Sequence, residues 1–151
     1  MAIRVTVDTS VMVKGLVPPR RRKRDELYEH QLDLHLRSRE VLLQIESGEY
    51  ENHLPIIALI ETACVVSRLS DEVRADLALN FVGNNSKLYS DGFLIELAIE
   101  IGLKTKASGF DVLFMACAEK ANSKLITDDK KMREKADDYG LDVLFLRDNW
   151  L

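Results

Sequence analysis

The chain has 151 residues, 46% of them hydrophobic and 30% charged, with 7 glycines and 3 prolines. That fits one domain spanning residues 1–151 and excludes collagen-like, low-complexity and broadly disordered chains. With 21 basic residues against 25 acidic ones the net charge is −4, so the field of the whole molecule does not attract a polyanion, and any such binding must come from local features.

Ile3 to Val7 alternates with β-branched residues and stops at Asp8-Thr9-Ser10, which predicts a short strand ending in polar residues. A helical turn through Val11 to Val17 is broken by Pro18-Pro19, and the uninterrupted basic run Arg20 to Arg24 follows. From Asp25 to Ile45, apolar residues recur at helical spacing until Ser47-Gly48, which reads as a long amphipathic helix. His53 to Ile57 reads as a second strand, Ala58 to Leu69 as a helix, and about Ser70 to Phe81 as a polar helix before the turn signal Gly83-Asn84-Asn85.

Lys87 to Tyr89 is a brief strand, and Phe93 to Ile101 a helix closed by Gly102. Ser108 opens a helix over Val112 to Ala121. Lys124 to Thr127 then reads as strand, Asp129 to Tyr139 as helix stopped by Gly140, and Val143 to Leu146 as the last strand. Strands alternating with helices predict an α/β sandwich in which a mainly parallel sheet is covered on both faces. The functional crevice of such a sheet lies beyond the carboxyl ends of its strands.

Acidic residues fall at such ends: Asp8, Asp111 at a helix start, and Asp128-Asp129. Each alone can simply cap a helix or suit its macrodipole. Glu61 is different, because it and Thr62 alone interrupt the otherwise apolar Leu54 to Val66, and an ionised carboxylate on a buried helix is costly unless paired or bound to a cation. The acids make sense together if they converge on Mg²⁺ or Mn²⁺, which prefer oxygen ligands. Without a metal they would raise one another's pKa values. With no partnering histidine or nucleophilic cysteine, the cluster points to metal-assisted hydrolysis of a phosphodiester. Ser10 and Thr127 stand beside two of the acids, where they can cap helices or hydrogen-bond a scissile phosphate.

VDTSVMV at the start, PIIALIETACVVSRL in the middle, SGFDVLFMACAEKANSKLITDDKKM late in the chain and the closing DVLFL together resemble a PIN-domain nuclease of the VapC toxin type, over Ile3 to Leu146. The acids stand 53, 50 and 18 residues apart, in the family's order. The resemblance implies a three-layer sandwich and a Mg²⁺- or Mn²⁺-dependent endoribonuclease acting on RNA. In it Asp8, Glu61 and Asp111 match the first three acids, and Asp129, or Asp128 if the turn is shifted, the fourth. It also implies a homodimer and a small antitoxin partner. An RNA-processing or quality-control nuclease, and a non-catalytic protein-binding module whose acids only cap helices, are the rival readings.

The remaining signals are plainer. The run Arg20 to Arg24 reads equally as a solvated helix N-terminus and as an arm gripping phosphates. Cys64 and Cys117 read as small buried hydrophobes in a reducing compartment, and His30, His35 and His53 as surface residues. Trp150 docks at a subunit contact or frays. No run is long and apolar enough for a membrane span and the N-terminus lacks a signal-peptide pattern, so the expected location is the cytoplasm.

Overall fold

The computed structural model describes residues 1–148; Trp150 lies outside the described residues. Five strands form one sheet in the order β3-β2-β1-β4-β5, and every adjacent pair is parallel. The strands are β1 (Ile3–Val7), β2 (Tyr50–Pro55), β3 (Ser86–Tyr89), β4 (Lys124–Thr127) and β5 (Val143–Phe145). Seven helices occupy the connections among the described residues: α1 (Thr9–Leu16), α2 (Glu26–Glu46), α3 (Ile57–Leu69), α4 (Glu72–Asn84), α5 (Asp91–Thr105), α6 (Gly109–Ala121) and α7 (Lys130–Tyr139).

The chain order reverses beside β1. From β1 the chain steps outward to β2 and β3, and from β3 it returns to β4 on the other side of β1. Right-handed crossovers then place α1 to α4 on one face and α5 to α7 on the other, which is how the helices group in contact: α1 with α2 and α3, α3 with α4, α5 with α6 and α7. The expected three-layer sandwich is what forms, with an all-parallel sheet. Val5, Val7, Leu54, Leu125 and Ile126 fill its centre, and Met12, Phe114 and Met115 press on it from the two helical layers.

Several boundaries differ from the sequence expectation. β2 begins at Tyr50 because Ile3 and Arg4 pair with Tyr50 and Glu51, and it ends at Pro55, which leaves Ile57 to start a helix. α4 runs through Gly83 to Asn84, and Asn85 turns its side-chain amide back to the Phe81 carbonyl at 2.8 Å. α5 runs past Gly102 and stops at Lys106, which takes the left-handed conformation. Ser108 caps α6 as its position predicts, and Gly140 closes α7 with a φ of 99°.

Cys117 is buried, but Cys64 is exposed, because α3 presents only Ala58, Thr62 and Val66 fully inward. His53 is also a correction. It is buried in β2, with Nδ1 2.7 Å from the Tyr89 hydroxyl and Nε2 2.8 Å from Glu51 Oε1. His35 is half-buried with Nδ1 2.6 Å from the Lys14 carbonyl oxygen, whereas His30 is exposed as expected. No helix among the described residues is long and apolar enough to cross a membrane.

Two predictions follow from this packing. α1 crosses α2 so closely at Gly15 that an added Cβ would lie 2.6 Å from Leu42 Cδ1 and 3.2 Å from the Ser38 carbonyl carbon. Gly15→Val should destabilise the fold by about 1–3 kcal/mol in urea unfolding; equal midpoints would disprove the close approach. Burial pushes the His53 pKa down, against the opposing pull of Glu51, so the folded state favours neutral imidazole. That contribution is intact above the ordinary histidine value of about 6.5 and is lost as pH falls below it, where the unfolded chain binds the extra proton. Between pH 7.5 and 5.5, His53→Gln should therefore lose less stability than the parent.

Candidate active site

The carboxyl ends of β1 and β4 lie side by side where the chain order reverses, and they are followed by Asp8 and by Asp128-Asp129. The Asp8 amide still donates to the Ile126 carbonyl at 2.9 Å, while the Asp8 carbonyl accepts from Val11 and Met12 to start α1. Asp8 thus occupies the N-cap position, but its side chain makes no capping bond. Instead Oδ2 accepts from the Ser10 hydroxyl at 2.8 Å and from the Thr127 hydroxyl at 3.0 Å. Those hydroxyls accept in turn, Thr127 Oγ1 from the Asp129 amide and Ser10 Oγ from the Asp128 amide. Neither one caps a helix as the simpler reading had it; together they lace the end of β1 to the turn after β4.

Three further carboxylates face this point from separate elements. Glu61 on α3 accepts from the Thr9 hydroxyl at 3.4 Å. It is half-buried rather than enclosed, so burial alone does not force it to pair. Asp111 sits in the first turn of α6, where the Ser108 hydroxyl accepts from its amide. Asp129 is exposed and caps α7, its Oδ1 accepting from the Met132 amide at 3.0 Å.

These groups influence one another electrostatically. Asp8 is 7% exposed, and burial pushes its pKa up, helped by the Asp111 charge and opposed by the bonds from Ser10 and Thr127. Burial also raises Glu61, with Asp8 and Asp111 adding to the rise. Asp111 is raised by burial and by Asp129, while Ser108 and Lys135 oppose. Like charges held in mutual range make a site that a cation would stabilise.

Asp128 stands apart from this cluster in its bonding. Its fully buried carboxylate is clamped between Lys14 and Arg147, with Arg147 Nε donating to Oδ1 at 2.8 Å. Neither cation stands out from the sequence as a partner of Asp128. A basic residue six positions beyond Asp8 on the same short helix, and another just past the last strand, were the available signals. Lys14 also lies within electrostatic range of Asp8 and Asp129, and its pKa is lowered first by burial and then by Arg147.

No group of three or more His, Cys, Asp or Glu side chains among the described residues is arranged to hold a metal ion as it stands. The donor set nevertheless fits Mg²⁺ or Mn²⁺, being all oxygen, acidic and partly open to water. Mg²⁺ in particular needs only one or two direct carboxylates and keeps several waters.

The two adjacent aspartates should separate on substitution. Asparagine caps helices as well as aspartate, so Asp129→Asn should leave the melting temperature nearly unchanged. Asp128→Asn removes the counter-charge of two cations and should lower stability by about 1–3 kcal/mol. The opposite order in thermal unfolding would reverse the two roles.

A sequence-family model described as PIN domain matches residues 5–138. Among curated proteins none matches the sequence. Among solved structures, FitAcB from Neisseria gonorrhoeae is similar at a TM-score of 0.62 and 15% identity, over 94% of this chain and 97% of that one. PAE2754 from Pyrobaculum aerophilum gives 0.57 and 18%, over 89% and 87%. VapBC2 from Rickettsia felis, bound to a DNA fragment from its promoter, gives 0.57 and 15%, over 95% and 98%. The structures share the fold, and the match across residues 5–138 shows that this chain belongs to the PIN domain family.

Proposed function

We propose that this chain is a Mg²⁺- or Mn²⁺-dependent endoribonuclease, the toxin of a type II toxin-antitoxin pair, acting in the cytoplasm. What supports the reading is that Asp8, Glu61 and Asp111, carried by separate elements, lie within electrostatic range of one another, each with its pKa raised, and that Asp129 acts on Asp111. Membership of the PIN domain family supports nuclease chemistry. Likeness to VapBC2 and to FitAB bound to a DNA fragment supports an antitoxin partner. An apolar row of Ile95, Ile99 and Leu103 on α5 is exposed and supports a homodimer.

In this reading Asp8, Asp111 and Asp129 hold the cation and Glu61 ligates it or orients water. Asp128, bound to Lys14 and Arg147, is the less suited fourth acid. When bound, the cation neutralises the scissile phosphate and lowers the pKa of an attacking water. The chain's own groups do the rest. Ser10 and Thr127 fix the Asp8 carboxylate through Oδ2. Thr9 steadies Glu61, and the α7 cap sets the position of Asp129.

Thermal unfolding and cleavage of a mixed RNA, each with EDTA and with Mn²⁺, test the proposal in the parent and in Asp8→Asn. The parent should cleave only with Mn²⁺ and gain about 2.7 kcal/mol of stability at a hundredfold excess over its Kd. Asp8→Asn should lose both responses yet melt no lower than the metal-free parent, because the buried charge it removes is unfavourable. Equal responses in the two proteins would sink the proposal.

A further inference from the structure

The connection from α1 to α2, residues 17–25, overhangs a cleft of about 620 Å³, within the usual range for ligand pockets. Its floor is apolar, formed by Val17, Pro19, Leu34 and Leu69, and Gln31 and His35 lend it polar groups. Its rim carries a run of cations. Arg21 is held by Asp25, with Nε 2.9 Å from Oδ1, and the Arg24 guanidinium lies over the Tyr28 ring, 4.0 Å from the centroid. Arg20, Arg22 and Lys23 have no ion pair among the described residues. A chain of net charge −4 therefore keeps three unneutralised cations around one recess.

We infer that this cleft holds an unstacked base of a single-stranded RNA, its phosphates running along Arg20, Arg22 and Lys23 toward Asp8. The inference rests on the ribonuclease proposal and gives its substrate a form. Continuity is the first support: Lys14 lines the cleft and also reaches Asp128, within electrostatic range of Asp8 and Asp129. Shape is the second. A base has flat apolar faces and polar edges, matching a floor of proline and aliphatic groups edged by Gln31 and His35. The His35 Nδ1 lies against the Lys14 carbonyl, which leaves Nε2 for such an edge. A duplex cannot offer a base to a recess without unpairing it, so the cleft selects single strands. An acidic peptide would suit the rim but offers the apolar floor no flat group with polar edges.

Fluorescence anisotropy of the full chain in EDTA tests the inference, using a labelled single-stranded RNA, the same strand as a duplex, and an abasic version. The single strand should bind at least about tenfold tighter than the duplex. Arg20→Gln/Arg22→Gln/Lys23→Gln should lower the slope of log affinity against log salt by about 2, at about 0.7 per phosphate contact. Leu69→Ser, at a position 41% exposed, removes apolar floor without adding charge, and should weaken binding of the base-bearing strand and leave the abasic strand unaffected. An unchanged slope, or equal losses on both strands, would overturn the inference and leave the cleft to a protein partner. Mn²⁺-dependent cleavage that needs Asp8 but ignores the rim would overturn it while sparing the ribonuclease proposal. Rim-dependent binding of single strands without any cleavage would uphold the cleft and remove only the ribonuclease proposal.

Discussion

The Asp8 amide donates to the Ile126 carbonyl, so the residue is still in the ladder between β1 and β4 when its side chain enters the site. That bond sets the geometry of everything nearby. It places the Asp8 carboxylate beside Thr127, the last residue of β4, and allows that hydroxyl and the Ser10 hydroxyl of α1 to bond the same oxygen. A buried carboxylate held by neutral donors gains hydrogen bonds but no counter-charge, and burial raises its pKa. Had Lys14 closed on Asp8, the site would have been neutralised from within. Lys14 is drawn to Asp128 instead, and the acid cluster keeps its net negative potential.

Adjacent residues in an extended segment point to opposite sides, and this alternation divides the labour between Asp128 and Asp129. Asp128 turns inward, where Lys14 and Arg147 satisfy it, and so anchors α1 and the segment after β5 to the end of β4. Asp129 turns outward and caps α7 with one oxygen. Two identical side chains thus find different partners, one a pair of cations and the other a helix amide, through one peptide unit of difference. Asp8 likewise stands where a strand passes into a helix, whereas Asp111 is in the first turn of α6, a helix that follows α5 rather than a strand.

The sequence makes the periodic elements and the strand-end acids legible because both are local signals. Alternation marks Ile3–Val7, and the helix stop at Gly140 is marked by a glycine that does take a positive φ. What misleads is the same kind of signal overridden by tertiary contact. Gly83 and Gly102 look like helix ends, yet α4 and α5 run through them because neighbouring turns are packed against α3 and α6. Cys64 and Glu61 belong to an apolar stretch, but a helix on the outer layer buries only one stripe of it. His53 looks like a charged-surface residue until its strand pairs between β1 and β3. Lys14 and Arg147 were hidden for a further reason: their partner is 114 and 19 residues away, and only the fold brings it close.

α1 shows how an acidic protein keeps its two kinds of charge apart. Asp8 stands at the amino end of this eight-residue helix, Lys14 in its last turn, and the basic run begins four residues beyond it. The helix is about 12 Å long. Its macrodipole favours an anion at the first end and cations at the second. The separation of acids from cations therefore works with the backbone electrostatics, and neither cluster needs the other as a counter-charge to be stable. The same helix lays Val13 and Val17 along the floor of the cleft between the two, so one short element fixes the acids, the cations and the apolar surface in register.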